Sequence, residues 1–197
     1  MGDKANIQEE SSFVPLLSSL SSRRFRPYPE YQNSGAEWIG ETPSHWSTKR
    51  LKNLVHFQGG GTPSKENLEY WSGSIPWVSP KDMKTRLILD TTDKITVEAV
   101  EESATNLVDP GAVLLVVRSG ILNHTIPVAI AGTTVALNQD LKALIPGAEV
   151  LPKYLSYVID GKQSPLLVEW RKEGATVESL ELELIENSRF PLPPKSE

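Results

Sequence analysis

Three consecutive glycines, Gly59, Gly60 and Gly61, run into Thr62-Pro63-Ser64-Lys65, and no other stretch has residue types so suited to holding a ligand. Glycine lacks the Cβ that keeps backbone at a distance, so such a loop can press bare main chain against a partner. Pro63 fixes the exit angle and Lys65 supplies a cation. A glycine loop with one lysine points to a phosphate, either of a nucleotide or of a nucleic-acid backbone. The nucleotide version fails on spacing. A P-loop needs glycine directly before the lysine and Ser or Thr directly after it, whereas Ser64 and Glu66 stand there. Leu51, Leu54 and Val55 follow helical spacing, which predicts a short helix before the loop, where a P-loop has a buried strand. A purely structural glycine turn is the competing interpretation.

Other chemistries lack their parts. There is no cysteine, which excludes disulfides and thiolate metal sites, and His45, His56 and His124 are not spaced as metal ligands. An adenine methyltransferase would need an Asn/Asp-Pro-Pro-aromatic loop, yet the one Pro-Pro, Pro193-Pro194, follows Leu192 and precedes Lys195. A nuclease would need clustered carboxylates beside a lysine. Glu173, Glu178, Glu181, Glu183 and Glu186 have no lysine among them and fit a solvated helix face. The chain is expected to be non-enzymatic.

What remains suits the reading of base edges, which uses Arg, Lys, Asn, Gln, Ser and Thr carried on loops. The candidates fall in four places. Gly60, Gly61, Thr62, Ser64 and Lys65 lie on the glycine loop, and Lys81 lies in a charged Lys81-Asp82 pair. Arg118, Ser119, Asn123 and His124 leave a strand-like apolar run, and Asn138 and Gln139 follow another. Each has a structural alternative: Asn138 as a turn residue, Gln139 capping a strand, Arg118 in an internal ion pair. Trp38, Trp46, Trp71, Trp77 and Trp170 could stack on bases, but core or subunit-contact roles suit all five better.

Charge permits a nucleic-acid partner without demanding one. The net charge of −5 argues against it. However, residues 21–86, which include the glycine loop, carry ten Lys or Arg against six Asp or Glu, and residues 87–197 carry nine against sixteen. On this reading the acidic face lies away from the loop.

The elements that must position these residues read as α+β. Strands are expected at Ile75 to Val78, Ala112 to Arg118 and Leu141 to Ile145, and a helix at Thr96 to Ala104 with Thr96 as its cap. Pro127 to Ala131 and Thr134 to Leu137 flank Gly132-Thr133 as an antiparallel hairpin would. Helices are expected from Pro152 to Asp160, from Gln163 to Lys172 and around Leu180, Leu184 and Ile185. At 197 residues the chain suits one main domain. Residues 1–27 read as a flexible tail and 28–197 as the domain. The longest apolar run, Ala112 to Val117, is too short to cross a membrane, and the expected location is cytoplasmic.

In order and spacing, five segments resemble a known family. They are Tyr28-Pro29-Glu30-Tyr31 with Glu37 to Trp46, the Gly59 to Met83 stretch, Asp109 to Gly120, Ala136 to Asp140, and the closing Phe190 to Glu197. Together they closely resemble the target-recognition domain of the DNA specificity subunit of type I restriction–modification systems. The resemblance implies a single recognition domain with curled antiparallel strands and several short helices, which binds double-stranded DNA and reads one half of a bipartite target. It implies modification (methyltransferase) subunits that bind S-adenosylmethionine and a restriction (motor–nuclease) subunit that uses ATP and Mg²⁺, with no cofactor in this chain. The family's long spacer helix is missing after Pro193-Pro194, so an expressed fragment or a natural half-subunit is expected. The alternatives are the recognition part of a fused restriction–methyltransferase enzyme and a protein- or sugar-binding α+β module.

Overall fold

The computed structural model describes residues 27–197, so the expected tail lies outside the described residues except for Pro27. The chain begins with β1 (Tyr31–Asn33) and β2 (Glu41–Pro43), an antiparallel pair, followed by β3 (Ser47–Arg50). A 3₁₀ turn at Leu51–Asn53 leads into β4 (Val55–Gly59). The helix expected over these residues is therefore one tight turn and a strand. Leu51 and Leu54 are buried, and the turn satisfies their spacing. Val55 to Gly59 pair with a later strand, and that tertiary pairing overrides the local pattern. A strand does precede the glycine loop after all, although Ser64 and Glu66 still exclude a P-loop.

Next come β5 (Ile75–Val78), β6 (Leu87–Ile88), β7 (Lys94–Ile95), α1 (Val97–Glu101), β8 (Leu107–Val108) and β9 (Val113–Val116). The Thr96 side chain accepts the Ala99 N–H, capping α1 as its sequence predicts. The chain then adds β10 (Val128–Ala131), β11 (Val135–Leu137) and β12 (Leu141–Pro146), the helices α2 (Pro152–Gly161), α3 (Gln163–Trp170) and α4 (Leu182–Asn187), and β13 (Arg189–Leu192). The carboxylates expected on one helix face are divided. Glu183 and Glu186 lie on α4, whereas Glu178 and Glu181, outside that helix, pair with Arg171 and Lys172.

Two sheets carry the core, one ordered β4-β12-β9-β10-β6 and the other β7-β5-β11-β8. Their pairings are antiparallel except β10 with β6 and β11 with β5. The expected hairpin of β10 and β11 does not form, because the two strands belong to different sheets. β9 and β11 are apolar and buried at every position, the pattern of strands covered on both faces. β11 can therefore pass inward between β5 and β8 instead of folding back on β10. Gly132 turns the chain between the sheets, its N–H bonded to the Ile88 carbonyl at 2.8 Å.

The helices and the terminal strands close one side. Trp38, Phe190 and Trp170 pack in series, with ring centroids 5.1 Å and 6.3 Å apart. Trp38, Trp77 and Trp170 are buried; Trp71 meets Trp77 edge-on, and Trp46 is half-buried. The architecture is α+β with predominantly antiparallel sheets, and the longest helix among the described residues has ten residues. None is long and apolar enough to cross a membrane.

Candidate nucleic-acid interface

The strand register gathers the candidate segments at one end of the sheets. Gly59 closes β4 opposite Lys142 near the start of β12, and Val116 ends β9 opposite Leu141. Val128 opens β10 opposite Leu115, and β6 runs parallel to β10, so residues 80–86 approach from the same end. The second sheet adds to this edge, because the Asn138 N–H donates to the Val78 carbonyl at 2.9 Å. The loops bearing Gly60 to Lys65, Lys81, Arg118 to His124 and Asn138 to Gln139 therefore share one rim.

Within the rim, the glycines make contacts of a kind the sequence does not reveal. A Cβ on Gly60 would stand 2.1 Å from the Asn138 carbonyl oxygen, and one on Gly61 would stand 2.6 Å from the Ala104 carbonyl carbon. The Gly61 N–H donates to the Leu137 carbonyl at 2.8 Å. The bare backbone is thus pressed against the chain itself and locks the loop to the end of β11. Thr62 donates its hydroxyl hydrogen to Gln139 Oε1, joining the two segments through side chains. Ser64 and Lys65 are exposed beyond them.

Three candidates hold local structure. Asn138 is 5% exposed; its Oδ1 accepts the Asp140 N–H at 2.9 Å, forming a turn. Its side chain is spent there, as the turn-residue alternative has it. Ser119 caps the 3₁₀ turn Gly120–Asn123 by accepting the Ile121 N–H, and Asn123 donates to the Gly120 carbonyl at 3.3 Å. His124 follows, exposed. Arg118 is in the internal ion pair its alternative anticipates: Nε lies 2.7 Å from Asp140 Oδ1.

Aspartates stand among the cations, so the charge separation along the chain does not survive folding. Lys81 binds Asp93 at 2.7 Å, and that hydrogen bond holds its ammonium above the ordinary lysine value. Arg86 binds Asp160 at 2.5 Å and lies over the Tyr157 ring. Lys65 and Lys84 make no ion pair among the described residues. Lys81, Lys84 and Arg86 line a cleft of about 440 Å³, faced by Ile121, Thr125 and Gln163. Asp140, Lys84, Arg86 and Gln163 escaped sequence reasoning. Arg86, Gln163 and Asp140 are placed by contacts with segments distant in sequence, and Lys84 only by the cleft it lines, although Asp140 directly follows two candidates. A second groove, about 540 Å³, is lined by Tyr28, Trp46, Leu151, Tyr154, Tyr157 and Pro193 among others and holds none of the twelve candidates. At its wall the Tyr154 hydroxyl donates to the Pro191 carbonyl at 2.7 Å. Burial pushes its pKa up to about 12. Among the described residues no cluster of His, Asp and Glu could hold a metal ion.

The molecule is an α+β core that carries exposed polar and basic side chains on converging loops. Residues 43–197 match the family described as the type I restriction modification DNA specificity domain. The chain belongs to that family. It is 40% identical to the EcoR124I/EcoR124II specificity subunit of Escherichia coli, over 92% of this chain and 45% of that protein. It is 30% identical to the MjaIX specificity subunit of Methanocaldococcus jannaschii, over 88% and 39%. The chain thus spans less than half the length of these curated relatives. Among solved structures, the fold resembles a chain from a study of complex assembly and conformational transition of the type I R-M system, with a TM-score of 0.62 and 19% identity over 84% of this chain and 37% of that one. It also resembles the HsdS subunit from Thermoanaerobacter tengcongensis, with a TM-score of 0.56 and 21% identity over 83% and 36%.

Proposed function

We propose that this chain is a sequence-specific DNA-binding domain of a type I specificity subunit, and that it reads one half of a bipartite target through the loops at the shared rim. The observation that carries this is their convergence in a chain of the DNA specificity domain family. Phosphate contacts come from Lys65 and Lys84, with Lys81 available once released from Asp93, and base contacts from Arg118 and Gln139, with Thr62, Ser64 and His124 beside them. Gly60, Gly61, Ser119, Asn123 and Asn138 shape the loops that present them.

The domain does no chemistry itself. It directs modification subunits, which bind S-adenosylmethionine, and through them a restriction subunit using ATP and Mg²⁺, in the cytoplasm. Selection of duplexes from a randomised library by the purified chain tests the reading, with enrichment of one short motif expected. Binding that ignores sequence at every salt concentration would sink it. Incubation with tritiated S-adenosylmethionine, ATP, Mg²⁺ and plasmid should give neither labelled nor nicked DNA.

A further inference from the structure

Asp140 is an unexpected residue to find at a rim that meets a polyanion. Its carboxylate is mostly covered, with the side chain 20% exposed, while Arg118 beside it is 54% exposed. Oδ1 takes the Arg118 Nε–H at 2.7 Å. Oδ2 faces the side-chain amides of Asn138 and Gln139 at 3.4 and 3.5 Å. The main chain repeats the link, since the Asp140 carbonyl accepts the Val117 and Arg118 N–H groups at 2.8 and 3.3 Å. One residue therefore ties the end of β9 to the turn before β12.

The choice of donor matters. Arginine has five N–H groups, and the pair with Asp140 uses Nε. The two terminal NH₂ groups keep their hydrogens, and these can form a fork onto the O6 and N7 acceptors of guanine. A long exposed side chain normally loses rotamer freedom on binding; one already held at Nε loses less. A carboxylate near phosphates repels them, so it weakens non-specific binding while it sharpens the aim of Arg118.

Resting on the DNA-reading function proposed above, we infer that Asp140 is a positioning residue that sets specificity by orienting Arg118 toward a guanine edge. The test compares the full chain with Asp140→Asn, Arg118→Ala and the double variant. Each is assayed for thermal stability, affinity for mixed-sequence duplex and enrichment from a randomised duplex library.

The wild type should enrich a half-site containing a guanine. Asp140→Asn should lose about tenfold of the discrimination at that base pair, the scale of a good bidentate contact. Arg118→Ala should lose it at the same position, and the double variant no more than either. Affinity of Asp140→Asn for mixed-sequence duplex should stay level or rise, which a merely structural defect would not produce. An unchanged enrichment profile in Asp140→Asn, or equal loss for all sequences, overturns the role of Asp140 while leaving DNA reading intact. No enrichment by the wild type overturns the DNA-reading function and this inference with it. If Asp140→Asn does not fold, the Arg118 Nε–H resonance of the wild type decides: protection from solvent exchange supports the orientation, and exchange as fast as free arginine overturns it.

Discussion

Gly60 and Asn138 approach so closely that a β-carbon on Gly60 would lie 2.1 Å from the Asn138 carbonyl oxygen and 2.4 Å from that of Leu137. No side chain fits without moving the end of β11, which carries the turn holding Gln139 and Asp140. Gly60→Ala should destabilise the chain by about 1–3 kcal/mol, as overpacking does, lowering Tm by several degrees. Gly120→Ala is the control, because a β-carbon there would meet nothing within 4 Å. Thermal unfolding followed by circular dichroism compares the two, and equal Tm values would contradict the close packing.

Arg118 and Lys65 should separate base reading from phosphate contact. Arg118→Ala is expected to relax preference at one position by roughly 1–3 kcal/mol. Lys65→Ala should weaken binding about equally for all sequences. Competition titrations with single-base variants of the selected half-site make the comparison. A sequence change from Lys65→Ala with none from Arg118→Ala would place the reading surface elsewhere.

Salt dependence follows from which cations are already paired. Each phosphate contact contributes about −0.9 to the slope of log K against log salt. Lys65 and Lys84, which make no ion pair among the described residues, set a slope of about −2 on this basis. Lys81 is held by Asp93, so Asp93→Asn should free it and steepen the slope by about one contact. Titration of mixed-sequence duplex across salt concentrations measures both, and an unchanged slope in Asp93→Asn removes Lys81 from the interface.

Tyr154 makes stability depend on alkaline pH. Its folded pKa, pushed up to about 12 by burial, exceeds the ordinary value near 10. The unfolded chain therefore loses this proton first. The contribution is fully present below pH 10 and declines as pH rises from about 10 to about 12. Chemical denaturation at pH 8, 10 and 11 should show a smaller fall for Tyr154→Phe than for the wild type. At pH 8 the variant should be less stable by about 1 kcal/mol for the lost hydrogen bond to Pro191. Parallel pH profiles would contradict the assignment.

Much was legible along the chain because it is local. Thr96 caps a helix that was expected to reach Ala104 and ends at Glu101, Pro152 opens α2, and the apolar run expected as a buried strand from Ala112 to Arg118 holds one from Val113 to Val116. The absence of cysteine and the failed P-loop spacing are likewise properties of the chain alone. The ordered segments from Tyr28 to the terminal prolines carried the family, which the match over residues 43–197 shows.

Only the tertiary structure decided what joins segments distant in sequence. Val55 to Gly59 become a strand because β12 lies alongside to accept their hydrogen bonds. β10 and β11 part because each finds partners in a different sheet. The same holds at the rim. Gly60 is required by Asn138, seventy-eight positions on, and Arg118 is bonded by Asp140, twenty-two positions on. Residue type limits what a side chain can donate or accept. Which partner it meets depends on the strand register that brings the two together, and register is set by burial of the whole core.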